Sequence, residues 1–386
     1  MKKLGICICY QVKNYGSQLQ SYATTVELKR RGIDFEIIRY KKKFTPKLII
    51  SLLPRLVNPV FISERVLMRY HKKLRLKLKP KINKNNNKRN ACLEKFSKDR
   101  FTNLSPVYYG YKELCKSAEK YDGVMVGSDQ LWSPSGITSN FYNLMFANDE
   151  TLKISYATSM GVSKIKPKLH KTYTAFLNRI NYLSVRENTA KDIVSTLCSN
   201  TAEVVVDPVL LLSDEDWLKE IPNKKLFDEP YVFAYFLGKA PEYRKAVTEF
   251  AKEKALKIVT SHHMDNYNKA DINFGDYAPF NIGPEEFVNL IRNAEYVFTD
   301  SFHGSVFSML YKKQFMVFNR YSDQSISSKN SRIDSFCQNY GLTDRRYDGD
   351  INAVDNKINY TSVLEKVEQH KQKSLAFLDK ALKDFN

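Results

Sequence analysis

The sequence predicts an α/β fold: two doubly wound domains, each on a parallel sheet, facing each other across a cleft. Three observations lead there. Short apolar runs alternate with helical stretches along most of the chain, the rhythm of successive βα units. The runs are apolar throughout rather than alternating, as strands covered on both faces are. The rhythm halts at Asp207-Pro208 and restarts after Asp214, which divides 386 residues into two cores.

Taken in order, residues 3–9 predict the first strand, with Cys7 and Cys9 on one face of it. A polar turn, 11–16, leads into an amphipathic helix over 17–31 that Gly32 ends. A second strand covers 35–39. After about residue 110 the pattern predicts strands at 121–126, 154–157, 182–185 and 202–206, with helices at 168–179 and 188–197. The second half predicts strands at 231–237, 256–261, 296–298 and 315–319, with helices at 241–254, 284–293 and 332–340. A long amphipathic helix closes the chain at 360–384. The expected organisation is a first domain over 1–210, a second over 211–358, and a terminal helix, 359–386, that returns to brace the first.

The net charge of +19 belongs mostly to one insertion. Residues 41–100 hold 19 Lys and Arg against 3 acidic residues. Within it, 48–53 is mainly apolar, 61–78 mixes apolar residues with Arg and Lys, and 83–90 reads as polar and mobile. Three readings stay open: an anionic membrane surface, nucleic-acid phosphates, or a solvated excursion. Aromatic residues are not interleaved with the basic ones, which counts against single-stranded nucleic acid. Six scattered cysteines without a CxxC pair fit reduced thiols in a cytoplasm. The opening MKKLGICICY reads as a strand rather than a secretion signal, and no apolar run is long enough to span a bilayer.

The stretch EYVFTDSFHGSVFSMLY, 295–311, carries the strongest functional signal. A buried strand passes through a polar turn into a helix, the unit that sets side chains at the carboxyl edge of a sheet. His303, able to carry protons near neutral pH, stands at a helix start whose free N–H groups attract anions; a core histidine hydrogen-bonded to a neighbouring loop is the plainer alternative. Three more turns follow strands: Asn14-Tyr15-Gly16-Ser17, Gly127-Ser128-Asp129-Gln130 and Arg186-Glu187. All four belong on one sheet edge, which gathers His303, Arg186 and Asp129 toward one cleft. Arg186 suits carboxylate and phosphate oxygens; an ion pair with Glu187 or Asp192 is the plainer alternative. Asp129 reads as a base, an orienter of hydroxyls, or a helix cap.

Neither a GxGxxG nor a P-loop pattern occurs. His262 and His263 point apart on a strand end and make a poor metal pair. Asp214-Glu215-Asp216 reads as a capped helix start and Asp348-Gly349-Asp350 as a surface turn, so no metal site is expected.

Taken together, NYGSQLQSYA (14–23), GSDQLW (127–132), SYATSMG (155–161), SVRE (184–187), VVDPVLLL (205–212), TDSFHGSVFSML (299–310) and KNSRIDSF (329–336) resemble the polysaccharide pyruvyltransferase family. The resemblance implies a glycosyltransferase-B-like fold of two Rossmann-type domains, the first on the acceptor side. It implies transfer of pyruvate from phosphoenolpyruvate to sugar hydroxyls, often as a ketal, with no cofactor. His303 and Arg186 match the family's catalytic and phosphoenolpyruvate-binding positions. Asp129 is expected to act with them. Substrate contacts are expected at Asn14, Gly16, Ser17, Ser128, Gln130, Ser159, Ser301, Phe302, Gly304 and Ser305. Some members carry Arg-Leu-His where this chain has Ser301-Phe302-His303, and Lys329 or Arg332 is the candidate replacement for that arginine.

The resulting expectation is a phosphoenolpyruvate-dependent pyruvyltransferase acting on a bacterial surface glycan precursor. It would be cytoplasmic, with a glycan or lipid-linked acceptor, no nucleic acid, and residues 41–100 at the inner membrane leaflet. The alternatives are a nucleotide-sugar glycosyltransferase on the same fold and a non-catalytic basic binding protein.

Overall fold

The computed structural model describes residues 2–43, 80–134, 136–262, 268–320 and 331–385. Seven strands form the first sheet: β1 (Leu4–Cys7), β2 (Phe35–Lys41), β3 (Leu104–Tyr109), β4 (Gly123–Val126), β5 (Leu152–Thr158), β6 (Tyr182–Val185) and β7 (Glu203–Val204). Their order is β3-β2-β1-β4-β5-β6-β7, and every pairing is parallel. The second sheet joins β8 (Tyr231–Tyr235), β9 (Lys257–Thr260), β10 (Tyr296–Thr299) and β11 (Gln314–Val317) in the order β11-β10-β8-β9, again parallel. The strand order reverses between β1 and β4 and between β8 and β10. Ligands of open α/β sheets bind outside the carboxyl ends of strands at such points.

Helix α1 (Tyr15–Arg30) follows β1, and Gly32 ends it with φ +67°, a left-handed turn a side chain would resist. The sequence suggests an amphipathic helix, yet every residue from Tyr15 to Leu28 is buried. The reason is that α1 lies between the halves. Tyr15 stacks on Phe287 of α8 (Pro284–Arg292) with centroids 5.0 Å apart. One buried cluster runs from Leu4 and Leu19 through Trp217 to Phe287 and Phe307, so the two halves share apolar packing.

Much of the basic insertion, 44–79, with the stretches 48–53 and 61–78, lies outside the described residues. Its end does not match expectation: 83–90 belongs to a helix, α2 (Pro80–Arg100). The polar run hides the pattern, because the residues that anchor α2 come later. Phe96 packs edge-on to Tyr22, the Leu93 carbonyl accepts from Gln18, and Arg100 reaches Glu285 at 2.7 Å. Strand β3 likewise lies ahead of the point where order was expected to resume, and α3 (Tyr111–Ala118) precedes the first strand expected after it. Cys7 and Cys9 do not share a layer: β1 stops at Cys7, which enters the core, while the Cys9 thiol turns toward Ser17 and Asp129.

The other helices are α4 (His170–Leu177), α5 (Asn188–Leu197), α6 (Asp214–Glu220), α7 (Pro241–Glu253), α9 (Phe302–Leu310), α10 (Ser331–Tyr340) and α11 (Tyr360–Leu382). Ser213 and Asp216 cap the start of α6 reciprocally. Helix α11 packs on the first sheet: Ser374 Oγ accepts from Val206 N at 2.9 Å, and His370 Nε2 donates to Val204 O at 3.0 Å. Among the described residues no helix is long and apolar enough to cross a membrane.

Candidate active site

Strand β10 ends at Thr299. Asp300 then accepts from the N–H groups of Leu237 and Gly238 at 2.7 and 2.6 Å, fixing the end of β10 to the segment leaving β8. Burial pushes the Asp300 carboxyl up, opposed by those two N–H bonds. Ser301 caps α9, its Oγ accepting from Gly304 N at 3.3 Å. His303 therefore sits in the first turn of α9, directed at the first half. The contact is tight: a Cβ on Gly16 would lie 2.1 Å from His303 Nδ1, so only glycine admits the ring.

Arg186 leaves the end of β6 from the opposite side. Its Nη1 donates to Asp207 Oδ2 at 2.7 Å and lies 3.4 Å from Ser128 Oγ. The same Asp207 oxygen stands 3.6 Å from His303 Nε2 and accepts from Ser128 Oγ at 3.2 Å. Burial alone would raise the Asp207 carboxyl; His303 and Arg186 outweigh it and hold the group far below the usual range. Burial likewise works against the Arg186 cation, and Asp207, Glu187 and Asp129 more than restore it.

Several polar atoms here are buried without a hydrogen-bond partner: Arg186 Nε and Nη2, Glu187 Oε2, His303 Nε2 and Arg332 Nε. Leaving such groups unmatched is costly unless a ligand completes them. Phe302 lies under Arg186 Cζ at 4.4 Å and under Arg332 Cζ at 5.8 Å. Burial first, and then the nearby Arg186 charge, brings the half-buried Arg332 down to about 10. Arg186, Glu187, Asp207, Phe302, Arg332 and His370 help line a cavity of about 20 Å³. That is room for water and little more.

Asp129 lies close enough to His303 to feel its charge. It adopts φ +79°, a strained conformation for a non-glycine residue. Its Oδ2 accepts from Ser17 Oγ and, at 3.8 Å, from Cys9 Sγ; its Oδ1 accepts from Gln130 N at 2.8 Å. Burial opposes its charge, while Arg186 and His303 favour it and carry the net shift downward.

The structure thus brings together His303, Arg186, Asp129, Gly16, Ser17, Ser128, Phe302 and Arg332. Asn14 caps α1 through Ser17 N at 3.1 Å. Ser305 Oγ donates to the Ser301 carbonyl, Gly304 lies against Thr299, and Ser159 Oγ donates to Glu187 Oε1 at 2.7 Å. Gln130 packs on Gly161. Lys329 and the His263–Asp265 stretch lie outside the described residues. Sequence reasoning left out Asp207, which joins the two halves of the site. The signal was present: Asp207 follows a buried strand like the four turns singled out, but Asp-Pro reads first as a strand stop. Glu187 entered only as an ion-pair partner. Among the described residues no group of three or more His, Cys, Asp or Glu could hold a metal ion.

Two parallel sheets meeting at their carboxyl edges define a protein of glycosyltransferase-B architecture. A Listeria monocytogenes protein assigned as a UDP-N-acetylglucosamine 2-epimerase superposes with a TM-score of 0.51 at 11% identity, covering 100% of this chain and 98% of that one. The UDP-GlcNAc 2-epimerase of Methanocaldococcus jannaschii gives 0.48 at 12% identity, over 95% and 92% of the two chains. Escherichia coli ADP-heptose LPS heptosyltransferase II gives 0.36 at 13%, over 97% and 100%. At such identities the likeness is one of fold alone. No curated protein matches the chain in sequence. The model of the polysaccharide pyruvyl transferase family matches residues 14–322, most of the chain, and the protein belongs to that family.

Proposed function

We propose that the protein transfers pyruvate from phosphoenolpyruvate to two hydroxyls of a sugar in a bacterial surface polysaccharide precursor, closing a ketal. The observation that carries this reading is the set of buried guanidinium nitrogens with no hydrogen-bond acceptor, on Arg186 and Arg332, beside the imidazole of His303. The enol phosphate carries a carboxylate and a phosphate, and both need such donors.

His303 donates a proton to the methylene carbon, which leaves C2 electron-poor. Arg186 and Arg332 hold the two anionic groups while a sugar hydroxyl attacks C2. Ser17, fixed by Asp129, orients that hydroxyl, and its proton passes toward the Asp129 carboxylate. A second hydroxyl then attacks C2 as the C–O bond to phosphate breaks; its proton goes to the leaving inorganic phosphate, and the proton taken by Asp129 returns to His303. Asp207 keeps Arg186 and His303 in register throughout.

The acceptor is a glycan, lipid-linked in this reading and met at the cytoplasmic face of the inner membrane, with the basic residues of 41–100 drawn to anionic lipid. Pelleting with anionic liposomes, with and without 44–79, tests that part; equal pelleting removes the segment as an anchor.

The central test is incubation with phosphoenolpyruvate and candidate glycolipids, reading product mass and released phosphate. His303→Ala should release none. Thermal stabilisation by UDP-sugars and not by phosphoenolpyruvate would return the chain to the glycosyltransferase reading.

A further inference from the structure

Two cations rest against the ring of Phe302. Arg186 Cζ lies 4.4 Å and Arg332 Cζ 5.8 Å from its ring centroid, so the two guanidiniums are within about 10 Å of each other, the sum of those distances. The ring is itself buried and held edge-on by His303 at 5.2 Å and by Phe336 at 6.0 Å. It has no freedom to follow either arginine; each arginine must settle on it. Two like charges beside one small cavity repel, and the negative face of an aromatic ring offsets that cost while fixing where each cation rests. Neither guanidinium is fully satisfied there: Asp207 and Glu187 pair with Arg186, yet Arg186 Nε and Nη2 and Arg332 Nε find no hydrogen-bond partner among the described residues.

We infer that Phe302 is a positioning and specificity residue, whose ring spaces Arg186 and Arg332 so that a small ligand with an anionic group at each end satisfies both. A ligand with one anionic group satisfies only one arginine and leaves the other unmatched beside the cavity. The site therefore selects by the separation of two charges rather than by total charge. The inference rests on the pyruvyl-transfer reading for the name of the ligand, and on the Arg–Phe–Arg clasp for everything else. Leucine at 302 keeps an apolar filler but removes the ring face, so both arginines lose their seat.

The experiment is calorimetric titration of the full chain with phosphoenolpyruvate, 3-phosphoglycerate, pyruvate and inorganic phosphate. It uses wild type, Phe302→Leu and Phe302→Tyr, with melting temperatures alongside. Wild type should prefer the two-anion acids over phosphate or pyruvate. Phe302→Leu should weaken phosphoenolpyruvate about tenfold, the scale of a desolvated cation–π contact, and change phosphate binding little. Phe302→Tyr should restore the preference. Equal phosphoenolpyruvate affinity in Phe302→Leu overturns the inference. So does a uniform loss of all four ligands that tracks a lower melting temperature, since that marks packing alone. Wild type that answers 3-phosphoglycerate but not phosphoenolpyruvate overturns the donor reading while supporting the clasp. Wild type that binds phosphate as tightly as either acid overturns the clasp.

Discussion

Arg186 and His303 meet on one oxygen. Asp207 Oδ2 accepts from Arg186 Nη1 at 2.7 Å and lies 3.6 Å from His303 Nε2, although the arginine follows the first sheet and the histidine the second. A carboxylate 2% exposed thus sets the spacing of the two groups to which the proposed reaction assigns anion binding and proton donation.

Replacing Asp207 with asparagine should remove that control. Arg186 would keep its burial and lose its nearest counter-charge, with Glu187 left as a more distant one; breaking a buried pair costs up to about 3–5 kcal/mol. Transfer should fall about 100-fold or more, with a lower melting temperature. The wild-type carboxyl titrates below its ordinary 3.8 in the folded chain, so the unfolded chain takes up the proton first as the pH drops. The stability from this group is complete above pH about 4 and is lost below it. Acid unfolding of Asp207→Asn should lack that limb; an unchanged acid limb would separate Asp207 from it.

Gly16→Ala tests the approach of the two halves directly. Alanine suits a first helical turn, so the local backbone should accept it. The added methyl would meet His303 Nδ1 at 2.1 Å, and the ring lies in a packed wall. Either the imidazole leaves the Asp207 oxygen or α1 and α9 separate. Transfer should drop about tenfold or more while far-ultraviolet circular dichroism stays native. Wild-type turnover in Gly16→Ala would show that the contact is dispensable.

The strands and the sheet edge were legible because apolar runs and polar turns are local signals. The single edge expected for all four turns is in fact two: Arg186 and Asp129 leave the first sheet and His303 the second, and only the packing of the two halves brings them together. Three features were not legible, for physical reasons. Helix α1 is buried on all sides because a second half covers its outer face, and no local period records that. Helix α2 hides behind a run of asparagine and lysine whose anchors, Phe96 and Arg100, pair with residues far away in sequence. Asp207 looks like punctuation until β6 and α9 bring Arg186 and His303 to it.

Asp129 is held in a left-handed conformation that costs on the order of 1–3 kcal/mol. Glycine would relieve that strain and at the same time release Ser17, whose hydroxyl Asp129 accepts. Asp129→Gly should therefore keep a melting temperature near wild type and lose transfer about 100-fold. Asp129→Asn keeps an acceptor for Ser17 but holds a proton poorly, and it should lose activity while its affinity for phosphoenolpyruvate stays. If either variant transferred at the wild-type rate, Asp129 and Ser17 would have no part in handling the acceptor.

His370 gives a second window of pH dependence. Its Nε2 donates to Val204 O, so its Nδ1 is left to accept from Tyr340 OH at 3.0 Å. A protonated ring would point a second N–H at that hydroxyl. Burial, chiefly, holds the imidazole below its ordinary 6.5; the bond to Val204 opposes the shift and Lys373 adds to it. As pH falls, the unfolded chain binds this proton first, so stability is full above pH about 6.5 and declines below it. That window is separate from the Asp207 limb, which opens only near pH 4. Helix α11 carries His370 and Ser374 against Val204 and Val206, directly before Asp207, so acid should loosen the site as well as the helix. Melting and transfer should both weaken between pH about 7 and 5 in the wild type. In His370→Gln, which cannot titrate, the melting curve should be flat over that range, while transfer keeps whatever pH dependence the proton on His303 gives it. A wild-type melting slope retained in His370→Gln would place the titrating group elsewhere.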